Sequence, residues 1–240
     1  VRKRYYRRFG KASIVVTAAR GCPLACSYCA TGAGSWMGYR KRAVASVLDE
    51  IRNVSDDCEV GFIDFEDENL AMDRRWFLEL LEGIGEIFGD RLPEMRAMNG
   101  LFPPALDDAI VRKMRITGFK TLNLSLGSSD AKQLKRFKRP DVREAFDRVL
   151  YYARSEGLST VGYIIVGAPD QTPLKSVDDL LFLARRCVLA GVSVFYPAPG
   201  SADYARCRQS GLLPASFTRM RATALPIDQR TSRTESATLL

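Results

Sequence analysis

The chain has 240 residues, 46% of them hydrophobic, a formal charge of +8 and no histidine. That length supports one substantial domain, and no apolar run approaches the ~20 residues of a membrane span. The basic balance suits nucleic acid, an acidic redox partner or an anionic substrate, but a solvated basic surface is the simpler reading. Basic residues gather at Arg2, Lys3, Arg4, Arg7, Arg8 and Lys11, at Arg40 to Arg42, and from Lys132 to Arg143.

Short β-branched runs alternate with longer amphipathic stretches. SIVVTA (13–18) predicts a buried strand, and a cysteine-bearing loop follows it. Val44, Val47, Leu48 and Ile51 share one face of a helix expected over 44–54. EVGFIDF (59–65) predicts the second strand. Asp73 is placed to cap a helix running to about Phe88, with Phe77, Leu80, Leu81 and Ile84 inward. A short strand is expected at 95–99 and a helix near 107–117. FKTLNLSL (119–126) predicts the fourth strand, with helical segments near 130–137 and 141–156. TVGYIIVG (160–167) predicts the fifth strand. SVDDLLFLARRCVLAG (176–191) is expected as a helix closed by Gly191, and VSVFYP (192–197) as a sixth strand. After about Pro214 the chain turns polar and rich in Ser, Thr and Arg. Strict strand–helix alternation implies a parallel α/β sheet with right-handed crossovers. Periodicity alone leaves an open doubly wound sheet and a barrel both available.

The chemistry concentrates in one loop, RGCPLACSYCATG, where Cys22, Cys26 and Cys29 stand in the spacing C-x3-C-x2-C. Three thiolates this close suit an iron–sulfur cluster. On a 4Fe–4S cluster they leave one iron without a protein ligand, open to a substrate or cofactor. A structural zinc site wants four Cys or His ligands, yet histidine is absent and Cys58, Cys187 and Cys207 stand alone. Those three read as ordinary core or surface cysteines. A disulfide reading needs an oxidising compartment, and the chain opens on VRKRYYRRFG, which is no signal segment. The expectation is therefore a cluster protein of the reducing cytoplasm.

The CPLACSYC run resembles the signature of the radical S-adenosylmethionine (SAM) superfamily. The resemblance implies a partial (β/α)6 TIM-like barrel and two cofactors, a 4Fe–4S cluster on Cys22, Cys26 and Cys29 and SAM chelated at the open iron. Further motifs resemble the branch holding cobalamin-binding radical SAM proteins and methylthiotransferases. GYRKRAVASVLDEI (38–51) is similar to the segment after the cluster loop. FEDENLAMDRRW (65–76) resembles an acidic turn that holds the SAM amino group, which points to Asp67 first, then Glu66 and Glu68. LNLSLGSSDAKQLKRFKRP (122–140) resembles the fourth-strand region. There Ser125 and Ser128 are implied as ribose contacts, and Arg139 or Arg136 as partner of the SAM carboxylate. Tyr28, just before the last cysteine, joins the cofactor contacts. YIIVGAPDQT (163–172) resembles an adenine-binding motif in which Gly167 admits close approach. YPAPGSADY (196–204) resembles the sixth-strand turn, with Ser201 in place of Thr. Two departures stand out: Gly127 where relatives carry Glu or Gln, and Gln171 where they carry Glu.

The expected organisation is a basic lead-in (1–12), a radical SAM core (13–214) and a tail (215–240). The expected function is reductive cleavage of SAM to a 5′-deoxyadenosyl radical acting on an unknown substrate, with flavodoxin or ferredoxin as reductant. Two alternatives are a cluster-binding subunit that is catalytically degenerate or incomplete, and an RNA-modifying enzyme whose nucleic-acid partner meets the basic patches. Cobalamin would enter only through a missing or separate domain.

Overall fold

The computed structural model describes residues 6–32, 38–214, 216 and 230–239. The first five lead-in residues and most of the 215–240 tail lie outside this set. In chain order the elements begin with β1 (Tyr6–Arg8), β2 (Lys11–Val16), β3 (Ala19–Arg20) and β4 (Arg40–Lys41). Next come α1 (Val44–Asp57), β5 (Val60–Phe65), α2 (Arg74–Phe88), β6 (Glu94–Arg96), α3 (Asp108–Ile116) and β7 (Thr121–Gly127). The remainder is α4 (Ala131–Arg136), α5 (Arg143–Ser155), β8 (Ser159–Val166), α6 (Pro173–Ala184), β9 (Leu189–Val194), α7 (Ala202–Gln209) and α8 (Arg233–Thr238).

The chain divides into two compact units. The first comprises Val1–Gly21, Tyr39–Leu124 and Glu144–Thr160; the second comprises Cys22–Gly38, Ser125–Arg143 and Val161–Leu240.

The first unit carries a four-stranded sheet in the order β1-β2-β5-β6. β2 and β5 run parallel with Val15 against Asp64, and β5 and β6 run parallel with Ile63 against Met95. Isolated parallel bridges join Met95 to Phe119 and Leu101 to Leu124. Asp73 caps α2 as expected, accepting from the Trp76 amide at 3.0 Å. Phe77, Leu80, Leu81 and Ile84 on that helix are fully buried, each stabilising by roughly 1.5–3 kcal/mol. Gly83 lets α1 come close, because a Cβ there would lie 2.2 Å from a Leu48 methyl. Two antiparallel pairings break the expected parallel pattern. β1 folds back on β2, and β3 pairs with β4 through Ala19–Lys41 and Arg20–Arg40. Exposed Arg7 and Arg8 blunt the β1 edge against further pairing.

The three-stranded sheet runs in the order β7-β8-β9. Here the structure corrects two sequence expectations. The helix expected to reach Gly191 stops at Ala184, and β9 begins at Leu189. The turn between them uses Cys187 at φ 53°, with the Val188 amide donating to Leu183 O at 3.1 Å. Gly191 is no cap. It pairs with Tyr163 in the parallel ladder, and a Cβ there would meet the Tyr163 ring at 2.1 Å. The glycine serves close approach of an aromatic ring within a strand.

Candidate functional site

The cysteine loop belongs to the second unit, and its own backbone shapes it. The Cys22 amide donates to Thr31 O and the Cys29 amide to Cys26 O, both at 3.1 Å. Gly32 lets the loop fold onto itself, since a Cβ there would lie 2.2 Å from Leu24 O. All six cysteines are reduced thiols; Cys26 is buried, and Cys22 and Cys29 are half-buried.

Ser27, between two of the cysteines, anchors the loop three ways. Its amide donates to Phe137 O at 2.8 Å, and its hydroxyl donates to Asp203 Oδ2 at 2.8 Å. Its carbonyl accepts from the Asp203 amide at 2.8 Å. Asp203 is buried at the start of α7 and also accepts from Arg206 at 3.3 Å. Ser201 caps that helix, accepting from the Tyr204 amide at 3.1 Å. Tyr28 packs edge-on against Phe137 with ring centroids 4.9 Å apart. Burial pushes its phenol pKa well up, against the opposing pull of Arg139.

Arg139 is a cationic neighbour of the loop. Its Nε donates to Leu126 O at 3.2 Å, and its Nη2 donates to Ser125 O and to Ser125 Oγ, the latter at 3.0 Å. Its Nη1 lies 3.8 Å from Cys26 Sγ and 3.5 Å from the Tyr28 hydroxyl. Gly127 makes room, because a Cβ there would press Arg139 Cδ at 3.0 Å and Nε at 3.2 Å. Arg136, the alternative cation, pairs with Asp170 at 3.2 Å.

Ser128 is fully buried and donates to Asp179, 3.0 Å from both carboxylate oxygens. Asp179 also accepts from the Ser129 hydroxyl at 2.6 Å and from the Gln171 amide group at 3.1 Å. Burial raises its pKa against these donors. Gln171 Oε1 accepts from the Ala168 amide at 3.1 Å. Gly167 has φ 66° and open space where a Cβ would point, while its amide donates to Ser176 Oγ at 3.4 Å.

Asp67 lies in the first unit, 4% exposed. It accepts from the Ala18 amide at 3.2 Å and from the Ala19 amide. Burial lifts its pKa to about 6, more than these amides lower it. Its neighbours are more open: Glu66 accepts from Asn99 at 3.1 Å and Glu68 from the Gly21 amide at 3.0 Å.

Among the described residues no three Cys, Asp or Glu side chains already converge around a metal-sized centre. The chemistry of the donor set nonetheless fits an iron–sulfur cluster. The loop offers three thiols and no carboxylate, and a buried guanidinium stands against one sulfur to balance thiolate charge. Sequence reasoning missed Ser27, Asp203 and Asp179. Ser27 sits inside the motif, and Asp203 is marked only by its place in a helix first turn; neither position signals a partner more than 170 residues away.

The family model "Radical SAM superfamily" matches residues 16–184. The chain is 27% identical over 196 residues to a bacteriochlorophyllide d C-12(1)-methyltransferase of Chlorobaculum tepidum, covering 78% of the chain and 41% of that protein. It is 29% identical over 186 residues to an anaerobic magnesium-protoporphyrin IX monomethyl ester cyclase of Rubrivivax gelatinosus, covering 76% of the chain and 32% of that protein. The chain thus spans about a third to two fifths of these relatives' length. Among solved structures, the radical SAM methyltransferase TsrM of Kitasatospora setae, with cobalamin and a [4Fe-4S] cluster bound, superposes with TM-score 0.72 at 16% identity, over 87% of this chain and 39% of that one. The shared fold is mixed α/β, consistent with a partial TIM-like barrel whose sheet is not closed among the described strands. With 169 consecutive residues matched to the family model and three thiols on the loop after β3, the chain belongs to the Radical SAM superfamily.

Proposed function

We propose that the chain is the catalytic core of a radical SAM enzyme, with Cys22, Cys26 and Cys29 as its cluster ligands. The superfamily uses a 4Fe–4S cluster and SAM. When bound, such a cluster supplies the open iron and the electron for reductive cleavage of SAM to methionine and a 5′-deoxyadenosyl radical. The observation that carries the reading is the three-thiol loop held by Ser27 and faced by buried Arg139.

This chain's residues then have distinct tasks. Ser27 and Asp203 fix the loop. Tyr28 and Phe137 cover its inner side and exclude water. Ser125 and Gly167 present a hydroxyl and an open left-handed turn to the nucleoside; Ser128 supports that strand end through Asp179. Asp67, then Glu66 and Glu68, are the carboxylates for the amino group of SAM. A flavodoxin or ferredoxin supplies the electron, and the net charge of +8 suits an acidic donor. Hydrogen abstraction from a bound substrate is the chemistry the cluster and SAM would supply. The relatives are named as methyltransferases and cyclases, and cobalamin would come from a separate domain or chain.

The test is anaerobic reconstitution followed by product analysis. About four irons per chain, with 5′-deoxyadenosine and methionine released after reduction by dithionite, is the expected result. Stoichiometric zinc without iron absorbance overturns the reading. Cluster and SAM binding without deoxyadenosine, even with a cobalamin-binding partner added, favours a non-catalytic subunit.

A further inference from the structure

The turn after α4 does two things for the cysteine loop. Its Phe137 carbonyl accepts from the Ser27 amide, and two residues later Arg139 reaches Cys26. The turn is built for this. Lys138 adopts φ 51°, and the Arg139 amide donates back to Leu134 O at 3.0 Å, which ends the helix and turns the chain. The Arg139 side chain is then held by Leu126 O and both oxygens of Ser125. Its Nε–Nη2 edge is occupied by β7. What remains is Nη1, directed at Cys26 Sγ and the Tyr28 hydroxyl.

We propose that Arg139 is a positioning cation for the cluster, which it faces through the Cys26 sulfur, and that it makes the cluster easier to reduce. This inference rests on the reading above that Cys26 is a cluster ligand. Reduction adds one electron and no proton, so the cluster gains one negative charge. A fixed cation within hydrogen-bonding range of a ligand sulfur stabilises that reduced form. Arg139 is 8% exposed, so water screens it little. Gly127 belongs to the same device, because a Cβ there would crowd the guanidinium stem at 3.0 Å.

The experiment is a redox titration of the full chain with dithionite, reconstituted anaerobically and read by absorbance and electron paramagnetic resonance. Wild type, Arg139→Gln and Arg139→Lys are compared, and iron and sulfide are counted first. SAM is left out, so loss of a contact to its carboxylate does not move the readout. Arg139→Gln should keep its iron, with a midpoint shifted to more negative potential and a several-fold smaller fraction reduced at the wild-type midpoint. Arg139→Lys, which keeps the charge, should recover most of that shift. If Arg139→Gln does not fold, Arg139→Met reads the same question by removing the charge while keeping the stem, and it should shift the midpoint in the same direction. An unchanged midpoint in a folded, iron-loaded Arg139→Gln protein overturns the inference and leaves the cluster assignment standing. So does a lysine variant displaced as far as the glutamine one. A wild-type chain that takes up no cluster overturns both.

Discussion

Gln171 and Asp179 form a buried amide–carboxylate pair, with Nε2 3.1 Å from Oδ2. The sequence comparison made Gln171 a departure from an expected glutamate. The structure gives the reason: a glutamate there would set a second carboxylate against Asp179, which is fully buried. Gln171→Glu should therefore destabilise the protein by about 3 kcal/mol at pH 7. The loss should shrink in acid, because a raised carboxylate pKa favours the folded state only while the proton is held. Urea unfolding at pH 7 and pH 5 measures both.

Asp67 supplies a pH signature in the first unit. Its folded pKa of about 6 lies above its ordinary value of 3.8. The unfolded chain gives up this proton first as pH rises. The associated stability is therefore full below about pH 4, falls through about pH 6 and is gone above it. At about 1.4 kcal/mol per pH unit the change is about 3 kcal/mol. Asp67→Asn should flatten that slope in unfolding curves taken from pH 4 to pH 7. Calorimetry on the same variant should show SAM binding weakened by about 1.5–3 kcal/mol, with iron content unchanged.

Alanine at Cys22, Cys26 or Cys29 should abolish iron uptake, measured as iron and sulfide per chain. Alanine at Cys58 or Cys187 should leave it unaltered. Cys207→Ala should also keep the iron, but it trims the core around Phe137, Ala168 and Phe195 and should cost about 1 kcal/mol in unfolding.

Removing the anchor under Ser27 should loosen the loop specifically. Asp203→Ala takes the acceptor from the Ser27 hydroxyl and from Arg206. A stability loss of about 1–3 kcal/mol is expected. Hydrogen exchange should accelerate at the Ser27 and Cys29 amides before it does along α2. Equal acceleration in both places would mean the aspartate supports the whole fold rather than this loop.

The legible parts of this chain were those encoded by neighbouring residues. Asp73 announced a helix start, and Phe77, Leu80, Leu81 and Ile84 announced its inner face, because caps and helical periodicity are local signals. The cysteine spacing was local in the same sense. What sequence did not carry were relations between distant segments. Gly191 follows an apolar stretch, so it looks like a helix terminator; its real constraint is the Tyr163 ring on β8, 28 positions earlier. Gly191→Ala should consequently cost about 1–3 kcal/mol in chemical unfolding, through overpacking against the Tyr163 ring. The antiparallel returns of β1 and β4 escaped notice because each strand is only two or three residues long. Asp179 lay hidden on a helix whose pattern explained it as a polar position; only the fold brings Ser128, Ser129 and Gln171 to it.

The Gly127–Arg139 contact has a consequence for how such a site can evolve. A Cβ at position 127 would sit 3.0 Å from Arg139 Cδ, on backbone at φ 86°. A larger residue at 127 therefore needs the Arg139 stem to give way and the chain at 127 to leave its left-handed conformation. Losing Arg139 removes that steric contact but leaves the left-handed backbone, which itself favours glycine at 127. The two positions are epistatic, and the order of substitution matters. Substitution at 127 therefore costs more with arginine at 139 than without it.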